Sequence, residues 1–154
     1  MTPDRQQVMF RLHRSLHSLV NLHKILDRTP RDFGSGELLV GGEIHTIAAI
    51  GEHPMTNISA LAKNMGVTKA AMSQAVRKLH KKGYLRKLRD VNSEREVLLV
   101  LTEKGEQARN GHREVWTKAC VEFLSKISEA QVDTFVEVAS RIQASAESEI
   151  KSWG

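Results

Sequence analysis

Hydrophobic residues recur at helical spacing along most of this chain, and three long segments show the pattern best. The first begins at Pro3 and the second follows Thr102. The third follows Ser128, where a capping box with Gln131 predicts a helix start. The first is apolar over a broad face and therefore needs partners on more than one side. Their apolar faces include Leu12, Leu16, Leu19 and Leu26, then Trp116, Cys120 and Phe123, then Phe135, Ala139 and Ile142.

The pattern between the first two long segments loosens and then becomes helical again. Residues 29–42 contain Pro30 and several glycines, which predict a loop, and we expect the apolar residues 38–40 to turn part of this loop inward. Residues 43–51 predict a short helix.

The stretch from Thr56 to Thr102 carries the most specific pattern. Apolar residues at helical spacing precede Gly66, which suits a helix C-terminus, and Thr68 suits the start of a second helix. One face of the second helix is apolar, with Met72, Ala75, Val76 and Leu79. The opposite face carries Ala70, Gln74, Arg77 and Lys81, flanked by Ser73 and Lys78. Two helices joined by a short turn containing glycine predict a helix-turn-helix.

The period then changes to that of β-strands. Residues 85–90 and 95–102 predict two strands around a polar turn at residues 91–94, and a ribbon directly after the second helix makes a winged helix. The sequence therefore predicts a mainly α fold with a small β-ribbon.

The predicted domains are a winged helix-turn-helix at residues 37–103 and a helical dimerisation lobe formed by residues 1–36 and 104–154. One small winged domain cannot cover the apolar faces of three long helices. We therefore expect two identical chains to share the helical lobe with C₂ symmetry. A monomeric helical lobe is the alternative.

Charge favours nucleic acid as the partner. The net charge is +5, and no Asp or Glu occurs between His53 and Arg89, a stretch that carries nine Lys and Arg residues. A run of charge is often only a solvated surface. Here we interpret the cations as unpaired and as lying on a DNA-reading helix, where they attract phosphates and release counterions. The partner that this pattern predicts is double-stranded DNA.

The sequence LAKNMGVTKAAMSQAVRKLHKKGYLRKLRDVNSEREVLLVLTEKG resembles the MarR family of transcriptional regulators in its helix-turn-helix, its Lys-Lys-Gly turn, its wing and its Leu-Thr-x-x-Gly motif. The resemblance covers nearly the whole chain. It implies a triangular obligate dimer that binds a pseudo-palindromic operator, with an affinity that a small ligand, an oxidant or a metal changes.

The wing departs from the family pattern. Val91 follows Asp90 where the family has proline, and Ser93 and Glu94 replace the second Asp and the first Arg. Arg95 stands where the family places its minor-groove arginine, without the carboxylate that usually braces it at position 93. The second helix opens with Val40-Gly41 instead of Thr-Pro.

We expect Gln74 and Arg77 to read base edges, because their side chains can form bidentate contacts with adenine and guanine. Ala70 or the methyl group of Thr68 suits a thymine methyl group. We expect phosphate contacts from Lys69, Lys78 and Lys81, whereas Lys82 and Lys87 could equally serve solubility. The predicted DNA-binding residues are Thr68, Lys69, Ala70, Ser73, Gln74, Arg77, Lys78, Lys81, Arg89, Asn92, Ser93 and Arg95.

The chain has seven histidines, and the resemblance places some of them in the cleft between the lobes. The candidate ligand-binding residues are His13, His17, His45, His112 and Trp116, which would suit a small aromatic acid. Zn²⁺ is the alternative occupant, but no cysteine or dense carboxylate group accompanies these histidines, so we assign no metal ligand and no cofactor. Cys120 lies on an apolar face, and we expect it to be a buried, inert thiol.

We find no catalytic motif, so the sequence predicts a binding protein rather than an enzyme. It predicts a homodimeric regulator of transcription, acting as a repressor whose DNA affinity a small ligand changes. The alternative is an architectural or protein-interaction factor that coats DNA without an effector. The N-terminus has no apolar signal segment and the chain has a single cysteine, so we expect a cytoplasmic protein with no membrane partner.

Overall fold

The computed structural model describes residues 3–90 and 93–153, and it describes only the backbone of Pro3, Asp90 and residues 93–96. Its fold is mainly α with small antiparallel sheets, as predicted. The described elements, in chain order, are α1 (Pro3–Arg28), β1 (Arg31–Asp32), β2 (Leu38–Leu39), α2 (Gly41–Glu52), β3 (Thr56–Asn57), α3 (Ile58–Asn64), α4 (Lys69–Lys81), β4 (Leu85–Asp90), β5 (Ser93–Leu101), α5 (Glu103–Leu124) and α6 (Glu129–Ser152).

The helix-turn-helix forms where the sequence predicts it. The Asn57 side chain accepts a hydrogen bond from the Ala60 N–H at 2.8 Å and caps α3. Gly66 ends the helix with a φ of 64°, a left-handed conformation that favours glycine. Thr68 accepts a hydrogen bond from the Ala71 N–H at 3.2 Å and caps α4 as predicted. The core face of α4 is buried at Met72, Val76 and Leu79.

The wing is an antiparallel ribbon of β4 and β5, in which Leu85 pairs with Leu101. β5 begins at Ser93, so the prediction that residues 93–94 belong to the turn is wrong; residues 91–92 lie outside the described residues. The sequence also missed β3, which pairs with β5 on its other edge. A strand of two residues is too short to show an alternating pattern, and Asn57 is a residue type that is also typical of a helix N-cap.

The predicted loop at residues 29–42 contains a small hairpin of β1 and β2. Asp32 holds its turn, because one carboxylate oxygen accepts hydrogen bonds from three successive backbone N–H groups, those of residues 34–36. Leu39 is buried whereas Leu38 is 61% exposed, so only part of this segment turns inward. Alternation along a strand sends neighbouring side chains to opposite faces.

α5 begins against the end of the helix-turn-helix. Thr102 caps it as predicted: its hydroxyl accepts a hydrogen bond from the Gly105 N–H at 3.2 Å and donates one to the Gly83 carbonyl at 2.6 Å. A Cβ atom at Gly105 would collide with the Tyr84 carbonyl oxygen, and one at Gly111 with the Phe33 carbonyl oxygen. Glycine at these positions lets the helix approach neighbouring backbone closely.

The chain divides into two compact units between Arg113 and Glu114. The first unit contains one buried cluster, built from α2, α3, α4, the wing and the start of α5. The predicted domain limits, which assign α1 and α5 to a lobe shared by two chains, stay a prediction.

The three long helices leave their apolar faces largely exposed in the single chain. Leu19 of α1 is 53% exposed, Phe123 of α5 is 60% exposed and Phe135 of α6 is 63% exposed. The capping box that opens α6 is present, with Ser128 and Gln131 bonded reciprocally. Among the described residues, no helix combines the length and the apolar character needed to span a membrane.

Candidate nucleic-acid interface

The polar face of α4 points away from the hydrophobic core. Gln74, Arg77 and Lys81 are all exposed, and the 3.6-residue period of a helix places them on the side opposite Val76. Within the part of the chain whose side chains are described, no carboxylate lies within ion-pair distance of Arg77, Lys81 or Lys69. Their charges are therefore available to a polyanion.

The first turn of α4 extends this surface. Thr68, Lys69 and Ala70 are exposed, and Ser73 is half-buried beside them. The helical period places Ala70 on the same face as Gln74, Arg77 and Lys81, whereas Thr68 and Lys69 lie at the N-terminal end of α4 and point to other sides.

The wing also carries predicted DNA-binding residues, although only part of it is described. Arg89 is exposed on β4. Asn92 lies outside the described residues, and Ser93 and Arg95 belong to β5 with side chains that also lie outside them. The minor-groove role expected for Arg95 stays a prediction.

Two cations of this region are paired, so the expectation that all of them are unpaired is wrong. Lys78 Nζ lies 3.1 Å from Glu43 Oε1, and Lys82 Nζ lies 2.9 Å from the same oxygen. Lys82 Nζ also lies 3.3 Å from Glu37 Oε1. Both carboxylate partners precede the stretch without acidic residues. The fold brings Glu43 of α2 and Glu37, which precedes β2, against the C-terminal part of α4.

The same chain of charges reaches α5. Lys104 Nζ lies 2.8 Å from Glu37 Oε2, donates a hydrogen bond to the Lys82 carbonyl at 3.0 Å and lies 4.4 Å from the centre of the Tyr84 ring. Lys82 is therefore a structural residue at the C-terminal end of α4, half-buried among these groups, and not a solubilising surface lysine.

The carboxyl groups of this network are held ionised. Burial raises the pKa of Glu43, but the Lys82 ammonium, the Val40 N–H and the Lys78 ammonium outweigh it, so the pKa lies below the usual value. Lys104 lowers the pKa of Glu37. The Lys78 and Lys82 ammonium groups both approach Glu43 Oε1 and together compensate the charge of this nearly buried oxygen.

A second cluster, of histidines, lies on the other side of α2. The His45 and His112 rings meet edge to face with centroids 5.5 Å apart, and Phe33 meets His112 at the same distance. The His23 ring stacks on His45 at 6.5 Å. Asp27 Oδ2 lies 3.3 Å from His23 Nε2 and Asp27 Oδ1 lies 4.0 Å from His45 Nδ1.

Within the single chain, His13 and His17 do not join His45 and His112, and their part in the ligand site stays a prediction. His13 and His17 stack on each other with centroids 6.1 Å apart, and His17 contacts Asn21. The helix places them about 9–15 Å along its axis from His23, the histidine that joins the cluster. α1 meets α2 at Asp27, where Gly41 gives room for the approach.

The remaining candidates lie further along α5. Trp116 is 66% exposed, and Cys120 is half-buried in the single chain instead of fully buried. Where side chains are described, no group of three or more His, Cys, Asp or Glu residues has an arrangement that could hold a metal ion. Glu43 and His45, two residues apart, face opposite sides of α2.

The model of the MarR family matches residues 42–97 of this chain. An uncharacterised HTH-type transcriptional regulator of Bacillus subtilis (strain 168), YhjH, is 31% identical over 94 residues, which cover 61% of this chain and 54% of that protein. The chain thus matches about half the length of this curated relative.

Solved structures resemble the fold over nearly the whole chain. Streptococcus pneumoniae FabT in complex with DNA has a TM-score of 0.72 and 22% identity, covering 94% of this chain and 98% of that one. The MarR family transcription regulator SP03579 has a TM-score of 0.79 and 14% identity, covering 96% and 95%. At sequence identities of 22% and 14%, these similarities show the fold alone.

The environment of His112 predicts a pH-dependent stability. Burial, and then His45, lower the pKa of His112 below 6.5, with Glu52 opposing them. Between the lowered value and 6.5 the unfolded chain binds the proton and the folded chain does not, so stability falls on acidification through this window. We expect His112→Gln to weaken this dependence in urea unfolding at fixed protein concentration. His53→Gln, which removes an exposed histidine after α2, is the control; equal pH dependence in both variants would contradict the prediction.

Proposed function

Because the chain carries a MarR-family winged helix-turn-helix, we propose that it binds double-stranded DNA and regulates transcription, as a homodimeric repressor on a pseudo-palindromic operator. The observation that carries the proposal is the outer face of α4, where Gln74, Arg77 and Lys81 are exposed together. An α-helix fits the major groove, and long polar side chains at its surface reach base edges there.

The residues divide into base readers and phosphate contacts. Gln74 and Arg77 suit adenine and guanine, and Lys69 and Lys81 suit the phosphates that flank the groove. Arg95, from the wing, suits a narrow A·T-rich minor groove, where negative potential is concentrated. The proposal concerns binding, not catalysis.

The homodimer is supported by the apolar faces that the single chain leaves exposed. Two such faces placed together would remove them from water, at about 25 cal/mol for each Å² of apolar surface buried. An isologous dimer would also present two copies of α4, and half-sites one helical turn apart require that spacing to be fixed.

The effector that we propose is a small aromatic acid. His45 and His112, two of the five residues expected at that site, lie together with Phe33 and His23. Imidazole and phenyl rings offer stacking surfaces, and a protonated imidazole can pair with a carboxylate. The ligand would change DNA affinity only through different affinities for two arrangements of the DNA lobes.

The first test compares Arg77→Ala with Lys81→Ala. The arginine variant should lose about 1–3 kcal/mol on the cognate operator and relax the preference at one base position in each half-site. The lysine variant should weaken cognate and random duplexes alike and flatten the salt dependence by about one unit for each α4. The operator is first selected from random DNA by the wild-type protein. Fluorescence anisotropy then measures the affinity of each variant for the cognate and random duplexes at several salt concentrations. Identical behaviour of the two variants on both duplexes would favour the architectural alternative.

The second test concerns the dimer. Sedimentation equilibrium at micromolar concentration should give about twice the 17.3 kDa chain mass. Leu19→Asp should dissociate or unfold the protein because it places a charge in the proposed interface. Leu38→Asp, at an exposed leucine outside the helical lobe, should leave the mass unchanged. A stable, folded wild-type monomer would contradict the dimer.

The third test concerns the effector. Salicylate-like acids, with Zn²⁺ in parallel, should be titrated into the operator complex; we expect an acid to shift the apparent DNA affinity at least about threefold, a coupling near 0.7 kcal/mol. His45→Ala should abolish the shift. No shift with either ligand would remove the effector from the proposal while leaving DNA binding in place.

A further inference from the structure

Lys78 and Lys81 form a natural pair for comparison, since both are exposed lysines near the end of α4. Lys81 lies near the middle of the outer face, in line with Gln74, whereas the helical period places Lys78 on the flank nearest Lys82. Lys78 Nζ lies 3.1 Å from Glu43 Oε1. Among the described side chains, no carboxylate lies within 4.0 Å of Lys81. The two lysines therefore differ in electrostatic environment more than in exposure.

Glu43 is built into the fold more firmly than a surface carboxylate. Its side chain is 10% exposed, and Oε2 accepts a hydrogen bond from the Val40 N–H at 3.2 Å. A carboxylate fixed in this way cannot follow Lys78 outward. A phosphate contact that drew Lys78 away from α2 would leave the buried oxygen with Lys82 alone, and this loss offsets the gain from counterion release.

We propose that Glu43 is a positioning residue of the DNA-binding surface, which holds Lys78 against α2 and keeps it out of the phosphate-contacting set. This inference rests on the proposed DNA binding and changes the role that the sequence predicted for Lys78. Lys78 fixes the side of α4 that faces α2, and Lys81 contacts the backbone of DNA.

The consequence for DNA binding is a weaker electrostatic attraction to every duplex. Non-specific affinity comes almost entirely from phosphate contacts, whereas specific affinity also contains base contacts. Withholding one cation lowers the affinity for random DNA without removing a base reader. Because a phosphate contact serves cognate and random DNA alike, both affinities fall by about the same factor, and base contacts then supply a larger share of the specific affinity.

The experiment measures the salt dependence of binding to cognate and random duplexes for the full chain and its variants. Lys81→Ala should flatten the slope by about one unit for each α4, and Lys78→Ala should leave it unchanged. Glu43→Gln, which preserves the shape and the Val40 contact, should steepen the slope by about one unit, because Lys78 becomes free. Over a fourfold change in salt, one such contact alters affinity about threefold to fourfold.

Two further variants separate this role from a general loss of structure. Glu43→Gln with Lys78→Ala should return the slope to the wild-type value. Glu37→Gln disturbs Lys82 and Lys104 but not Lys78, so its slope should equal that of the wild type. Thermal unfolding of every variant confirms that the proteins compared are folded.

The outcomes distinguish the two proposals. If Lys78→Ala and Lys81→Ala, each with Glu43 unchanged, reduce the salt dependence equally, the inference is overturned while DNA binding stays intact. This comparison does not require Glu43→Gln to fold. A wild-type protein that binds neither duplex at low salt would overturn the proposed function, and the inference with it.

Discussion

A nearly buried carboxylate makes strong demands on its surroundings, and Glu43 is the residue that imposes them here. A carboxylate removed from water is tolerated only beside opposite charge, and losing a partner of a buried ion pair costs several kcal/mol, about 3–5. Its compensation comes from Lys78 and Lys82, so the register of α4 against α2 has to bring both ammonium groups to one oxygen. Hydrophobic contacts alone would tolerate small rotations of α4, because apolar packing is not directional. The ion pairs restrict these rotations, while burial of Met72, Val76 and Leu79 sets which face α4 presents to solvent.

The parts of the fold that local rules govern could be predicted from the sequence. Thr68 caps α4, and Val76 lies in the core, because capping and periodicity depend on residues within one or two turns. The pairing of Lys78 with Glu43 could not be predicted, because the partners lie 35 positions apart and on different elements. The positive charges between His53 and Arg89 have no carboxylate among them in the sequence. Their carboxylate partners come from residues before that stretch, which the fold brings against the helix.

The histidines illustrate a second limit. Their helical spacing on α1 is visible in the sequence, but the point at which α1 meets α2 is not. That point is set by Asp27 and Gly41, where a side chain larger than hydrogen on the glycine would collide with the aspartate. The consequence is that His23, and not His13 or His17, meets His45. The sequence does carry one sign of this contact. Gly41 opens α2 where the family has proline, and a glycine at a helix start can indicate a close approach of another element.

α2 lies between the two clusters and contacts both. Glu43 and His45 are two residues apart, so the helical period points their side chains about 160° apart, one toward α4 and the other toward α1 and α5. A helix moves as a rigid element over such a short distance. A displacement of α2 large enough to admit a ligand beside His45 would therefore also move the Glu43 carboxylate relative to Lys78 and Lys82. Ion pairs of 2.9–3.1 Å are sensitive to such a movement, because Coulomb energy and hydrogen-bond geometry both weaken with distance. Such a movement would therefore give a ligand at the histidine cluster a short physical route to the surface that carries Gln74 and Arg77.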